Sequence, residues 1–273
     1  MMRGTTSEKR LFEDQKRKQS FDQIASLYDQ YRPGYPQGLF DFLIRETNLG
    51  PKSVAIEIGC GSGQATIGFA DTGASLTCID ISPELLNIAR QKFVNYRNIQ
   101  FLDVSFEDLS VAPQTCDLVF SAQAFHWINF ETGIPKCYQF LKAGGCLALI
   151  WNSSVLFPPS VRKQLDDLYR TTLNDFRTSE EIEDRSHKVL QERYDQIDKM
   201  QLFSKIETHS FTHLVNYSTD AYVGLLQTHS DHSTLPSERL HSLLTGVRKI
   251  FDSAGGTVQG EYRTSVILGE KRL

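Results

Sequence analysis

The chain has 273 residues, 40% of them hydrophobic, which supplies the core of one large α/β domain able to fold alone. Its formal charge of -4 comes with no basic stretch interleaved with aromatics, which argues against a dedicated nucleic-acid binder. Five cysteines without a C-x-x-C pair fit buried thiols in a reducing compartment. No apolar run approaches the roughly 20 residues of a membrane span, and the first residues lack a secretory apolar region, so a cytoplasmic protein without membrane association is expected.

Residues 1–20 mix Arg3, Lys9, Arg10, Lys16, Arg17 and Lys18 with Glu8, Glu13 and Asp14 and show little apolar periodicity, the pattern of a solvated helix or mobile arm. From Phe21 the spacing of Ile24, Ala25, Leu27, Tyr28 and Tyr31 predicts an amphipathic helix, stopped by Arg32-Pro33-Gly34-Tyr35-Pro36. A second helix is expected over 37–47. Strands are then predicted near 53–58, 75–80, 99–103, 116–121 and 145–151, with helices near 62–71, 83–94 and 131–141. Ser82 and Pro83 have the chemistry of an N-cap and a first helical position. This βαβ series implies a doubly wound, Rossmann-like parallel sheet, with ligands at the carboxyl ends of its strands.

After Trp151 the rhythm changes. Strongly charged helices over 161–174 and 179–196 read as an insertion capping the sheet. An exposed strand over 205–217, helices over 219–228 and 237–253 and a final strand over 260–269 complete it, giving seven strands with an antiparallel edge strand. The expected units are the arm (1–20), a nucleotide-binding core with a lid helix (21–152), the helical cap (153–202) and a C-terminal completion carrying acceptor-side helices (203–273).

Val54-Ala55-Ile56-Glu57-Ile58-Gly59-Cys60-Gly61-Ser62-Gly63 is an apolar strand entering a glycine turn, and Asp80 closes the next strand, where a carboxylate can accept from ribose hydroxyls. Gln64-Ala65 after Gly63 excludes a Walker A loop, and Gln64 stands where a dinucleotide fingerprint has its last glycine. What remains is E-x-G-x-G-x-G.

That turn with Asp80 resembles the class I S-adenosylmethionine-dependent methyltransferases. The resemblance covers Phe21 to Trp151 and includes Tyr28-Asp29, Tyr31-Arg32-Pro33-Gly34-Tyr35-Pro36, Cys78-Ile79-Asp80-Ile81-Ser82, Ser105-Phe106-Glu107-Asp108-Leu109, Cys116-Asp117-Leu118-Val119 and Leu141-Lys142-Ala143-Gly144-Gly145. It implies S-adenosylmethionine as cofactor. Gly59, Gly61 and Gly63 would then approach the methionine moiety, and Glu57 would face its amino group or the loop. Asp80 would take the ribose, Ile81 would pack on the adenine, and Ser105, Phe106 and Glu107 would hold the adenine edge. Ser105-Phe106 replaces a common Asp-Ala pair, so which side chain meets the adenine amine stays open. Tyr28 and Arg32 are expected on a lid helix, with Arg32 reaching a carboxylate or lying at the surface. Ser121, at the end of the fourth strand, joins the cofactor set.

Ala124-Phe125-His126-Trp127 lacks the Asn/Asp-Pro-Pro-Tyr/Phe loop of enzymes that methylate nucleic-acid amines. With Tyr31 to Pro36 it resembles the methyltransferase type 11, trans-aconitate-methyltransferase-like branch, which implies a small-molecule acceptor. His126 is the candidate general base, against packing beneath the cofactor. Trp127 and His229 are candidate acceptor contacts, against core packing and an exposed loop. His209, His213, His229, Asp231 and His232 lack a third or fourth ligand at supporting spacing, so no metal is expected. An NAD-dependent oxidoreductase and a silent S-adenosylmethionine-binding sensor or scaffold are the competing classes, and the assembly is expected to be a monomer or homodimer.

Overall fold

The computed structural model describes residues 22, 24–173, 178–229, 232 and 235–272. The predicted arm, Ser230 and Asp231 lie outside them. The first half comprises α1 (24–31), α2 (Gln37–Thr47), β1 (Val54–Ile58), α3 (Ile67–Ala70), β2 (Ser75–Asp80), α4 (Pro83–Lys92), β3 (Ile99–Asp103), β4 (Cys116–Ala122), α5 (Phe130–Phe140) and β5 (Leu141–Asn152). Then follow α6 (Pro159–Thr172), α7 (Ser179–Lys199), β6 (Phe203–Ser218), α8 (Thr219–Gln227), α9 (Ser237–Ser253) and β7 (Thr257–Lys271).

The strands form one sheet in the order β3-β2-β1-β4-β5-β7-β6. Pairings from β3 to β5 are parallel, whereas β7 runs antiparallel to both β5 and β6 and brings the antiparallel element to that edge. The order reverses between β1 and β4, so the crevice at their carboxyl ends is where this topology places a ligand.

Both faces of the central strands β1, β4 and β5 are largely buried, as expected where helices cover each side, while the edge strand β3 is only half-buried. Ala55, Leu76, Leu118, Phe120 and Ala148 pack with Leu39, Phe40 and Leu43 of α2 on one face. Ile56, Ile58, Val119, Leu147 and Leu149 pack with Ile134 and Cys137 of α5 on the other. A third cluster joins Val161 and Leu165 of α6, Val223 and Leu226 of α8, Leu243 and Phe251 of α9, and Tyr262 of β7. The two cap helices thus serve different layers: α6 belongs to this third cluster, while Leu190, Tyr194 and Ile197 of α7 pack with the α5 face.

Several boundaries differ from the periodic reading. The helix expected over 62–71 is a series of turns ending in the four residues of α3, because Gly61 and Gly63 hold φ of 56° and 90°, outside helical space. β5 starts at Leu141 rather than 145: it accommodates Gly144 at φ 73° through a register shift opposite Cys116 and Leu118. β6 and β7 run 16 and 15 residues, beyond the predicted ends, as each continues the ladder of the other.

Candidate active site

Beyond Ile58 the backbone turns sharply, with the Gly59 and Cys60 N–H groups both donating to the Ile79 carbonyl at 2.9 and 3.0 Å. The three glycines do different work. Gly59 has φ 68°, and a Cβ there would lie 2.3 Å from the Ala124 Cβ, so the turn can approach the β4 loop only without a side chain. Gly61 has φ 56° and faces Tyr28, whose ring would stand 3.5 Å from an added Cβ. At Gly63 a Cβ would meet the Phe93 ring at 2.5 Å, so this glycine seats the end of α4 rather than lining the cleft.

Asp80, half-buried at the end of β2, accepts from the Gly61 N–H at 2.8 Å and from the Ser82 N–H at 2.9 Å. Burial raises its carboxyl from the ordinary value, and these backbone donors oppose the rise. Tyr28, Gly59, Gly61, Asp80 and Ile81 share one cleft of about 110 Å³ with Ser105, Phe106 and Glu107. The loop carrying the last three is fixed by Lys136 of α5, whose ammonium donates to the Phe106 and Glu107 carbonyls, each at 2.8 Å. Ser105 turns its hydroxyl to Asp108 at 2.6 Å, and Phe106 is buried, so the exposed Glu107 is the acidic side chain this loop offers to the cleft. Ser121 belongs elsewhere. It is fully buried, donates to the Ile58 carbonyl at 2.8 Å and ties β4 to β1 without lining the cleft.

Glu57 is 1% exposed beneath the turn and accepts from Thr66 Oγ1 at 2.5 Å. Burial lifts its carboxyl to about 8, against the Thr66 and Cys78 hydrogen bonds. Folded protein therefore holds this proton more tightly than unfolded chain, whose Glu titrates near about 4.3. The resulting stabilisation is complete below that value, falls by about 1.4 kcal/mol per pH unit as pH rises towards about 8, and is gone above it. Thermal melts across this window should show that slope in the wild type and a flatter profile in Glu57→Gln.

Helix α1 is tied down at several points. Ser82 Oγ donates to Asp22 at 2.6 Å, Lys92 pairs with Asp29, and Tyr31 lies against Gly224 of α8, where a Cβ would come within 2.4 Å of its ring. Just past α1, Arg32 stacks 5.1 Å from the Tyr28 ring centroid and donates from Nη2 to the Thr228 carbonyl at 2.7 Å. Its Nε is buried with no hydrogen-bond partner. Arg32, Tyr28, Glu57 and Gly59 enclose a small adjoining hollow.

Through Tyr28, Gln123 and Trp127 the cleft borders a chamber of about 620 Å³, walled also by α6, α8 and β7. His126, Trp127 and His229 all line it. Trp127 is 42% exposed and stands outside the hydrophobic clusters, which rules out the core-packing reading. His126 sits in a short 3-10 turn, Phe125–Trp127. Desolvation at the chamber wall, with the cations of Arg193 and Arg32, pulls its imidazole down to about 4 although the residue keeps solvent access. It is neutral near pH 7.

Pattern reading missed Gln123, Asn152 and Lys136. Gln123 adopts φ 55°, donates from its backbone to the Ile150 carbonyl at 2.9 Å and from Nε2 to the Asn152 carbonyl at 3.0 Å. Asn152 in turn reaches the Gly34 carbonyl at 3.1 Å and accepts from Thr264 at 2.6 Å. These bonds link the ends of β4, β5 and β7 to the lid turn, and only the fold brings them together. His209 and His213 pack instead on Phe42 and Tyr262, and no group of three or more metal-ligating side chains occurs among the described residues.

Comparison with known proteins points the same way. A family model described as a methyltransferase domain matches residues 56–149. An uncharacterised methyltransferase of Schizosaccharomyces pombe is 28% identical over 244 residues, covering 86% of this chain and 89% of that protein. A methyltransferase-like protein of the same yeast is 35% identical over 129 residues, but the match spans only 46% of this chain and 48% of that one, about half of each. Among solved structures, a candidate type II methyltransferase from Anaeromyxobacter dehalogenans superposes with a TM-score of 0.63 at 19% identity, over 88% of this chain and 98% of that one, a likeness of fold.

Proposed function

We propose that the chain, whose residues 56–149 match a methyltransferase domain, acts as a class I S-adenosylmethionine-dependent methyltransferase and transfers a methyl group to a small-molecule acceptor held in the chamber. The observation that carries this reading is the shared wall: Tyr28, Gln123 and Trp127 border both the cleft and a half-open space of small-molecule size. The residues present fit the cofactor. Gly59 and Gly61 leave the cradle free of Cβ atoms, Asp80 offers carboxylate oxygens at the strand end, and the orphaned Nε of Arg32 suits a carboxylate.

When bound, S-adenosylmethionine supplies a methyl group on a positively charged sulfur that departs as a neutral thioether. Little acid–base work then falls to the protein, and alignment supplies much of the acceleration. Tyr28 stands in the cleft with Arg32 stacked on its ring, the loop held by Lys136 would meet the adenine end, and α6 and α8 supply part of the chamber wall. His126, neutral near pH 7 but pulled down to about 4, is a weak base there and is suited to accept a hydrogen bond from an acceptor that carries a proton rather than to take that proton away. Five buried free thiols suit a reducing cytoplasm, and no described helix is long and apolar enough to cross a membrane.

Calorimetric titration with S-adenosylhomocysteine should give saturable one-site binding, and labelled S-adenosylmethionine should pass its methyl to a component of a small-metabolite pool. Binding of NAD in place of both sulfur nucleotides would overturn the proposal.

A further inference from the structure

Another cavity, of about 470 Å³, lies between α7 and the strands β5 and β7, and it shares Asn152, Ser153, Ile182 and Ser186 with the chamber. Its charge is lopsided. Of the described residues that line it, Arg185 and Arg193 come from α7 and Arg263 from β7, against one carboxylate, Glu183. Glu183 stands 3.4 Å from Arg263, which also donates to His187. Among the described residues no carboxylate answers Arg185 or Arg193, so the lining keeps a formal excess of two positive charges. Arg185, Val189 and Arg193, spaced four apart, put both guanidinium groups on one face of α7. Arg193 is half-buried 4.2 Å from the Trp151 ring centre, and this burial lowers its pKa from the ordinary value. A cation drawn out of water without an anion is a costly arrangement that an anionic guest relieves. Its charge also acts on His126 in the chamber wall, so the two spaces are in electrostatic contact.

Resting on the methyltransferase reading above, we infer that this annex is a phosphate-binding subsite, in which Arg185, Arg193 and Arg263 anchor a phosphorylated acceptor. Guanidinium groups meet phosphate oxygens with paired N–H donors, and an excess of two positive charges matches a phosphate monoester dianion better than a single carboxylate. The phosphate is an anchor and not the methylated group, because none of the described residues lining the annex also lines the cofactor cleft. The reacting end of the acceptor lies past Asn152 and Ser153, in the chamber. Helix α7 thereby reads the charged end of the substrate, while Tyr28, Gln123 and Trp127 stand where the chamber meets the cofactor cleft.

Inorganic phosphate is the probe. Phosphorus NMR titration of protein saturated with S-adenosylhomocysteine, at about pH 8 where phosphate is mostly the dianion, should show one saturable site near about millimolar concentration. Acetate should bind about tenfold less tightly. Arg193→Gln should weaken phosphate about tenfold and leave S-adenosylhomocysteine affinity unchanged. Arg185→Gln, at an exposed position with no ion pair to lose, should act in the same direction and decides the matter if Arg193→Gln does not fold. Arg248→Gln, whose guanidinium pairs with Asp220 away from the annex, should leave phosphate binding as it is. Labelled methyl groups that pass to a small-metabolite pool should be lost from the products when the pool is first dephosphorylated with alkaline phosphatase. Absence of a saturable phosphate site, an affinity unmoved in both annex variants, acetate bound as tightly as phosphate, or methyl transfer that survives dephosphorylation would each overturn the inference. Failure of the wild type to bind S-adenosylhomocysteine would instead overturn the methyltransferase reading, and phosphate titration of the protein alone then still decides the annex.

Discussion

Asp80→Ala is expected to weaken S-adenosylhomocysteine binding by at least about 100-fold, close to 3 kcal/mol by the usual conversion of about 1.4 kcal/mol per tenfold. The carboxylate holds the Gly61 and Ser82 N–H groups, so alanine removes the group proposed to meet the ribose and also releases both backbone donors. A buried donor left unsatisfied costs about 1–3 kcal/mol, and Ser82 caps α4 by accepting from the Leu85 N–H at 3.2 Å, so the start of that helix loosens too. Stability should therefore fall by about 2–4 kcal/mol. Asp80→Asn retains the shape but points an amide nitrogen at one of the two donors, and should fall between wild type and alanine. Calorimetry and thermal melts separate the two effects; affinity of Asp80→Ala within about twofold of wild type would remove this residue from the site.

Gly59→Ala carries the second large effect, and here the cause is space. A methyl at this position meets the Ala124 Cβ at 2.3 Å while the backbone keeps φ 68°. The left-handed conformation costs roughly 1–2 kcal/mol for a residue with a Cβ, and overpacking adds about 1–3 kcal/mol, so a loss of about 2–5 kcal/mol and a drop in melting temperature near 10 °C are expected. Gly61→Ala bears the same conformational cost, but its nearest neighbour would be the Tyr28 ring at an ordinary 3.5 Å, and it should fold with the smaller loss. The double variant Gly59→Ala with Ala124→Gly removes the clashing carbon and should regain the overpacking share, a coupling that a double-mutant cycle measures. Additive losses in that cycle would refute the steric account.

The cofactor half was readable because its signals are local. Buried parallel strands are short apolar runs between turn residues, and β2 and β3 fall where the pattern puts them, at 75–80 and 99–103. Glycine φ values are not written in a sequence, which is why the helix expected over 62–71 shrank to α3. Among the cofactor candidates, Gly59, Gly61 and Asp80 face the cleft, while Ser121 and Gly63 in the same motifs turn to packing, a choice made by neighbours far along the chain. The acceptor side was mostly illegible for the same reason. Arg193 finds Trp151, as Ser121 finds Ile58, across a long stretch of sequence, and such meetings depend on tertiary structure rather than on any local period.

The position of β7 bears on how the molecule is made. Strands β1 to β5 pair among themselves and can assemble as soon as they have left the ribosome. β6 cannot join them, because β7 lies between it and β5, and β7 follows every other described strand. Until then β5 presents an open edge, and the chamber lacks Tyr262 and the support that β7 gives α8 and α9 through the third cluster. A nascent chain therefore has the means to build its glycine turn and the cleft beside it well before the neighbouring chamber has all its walls.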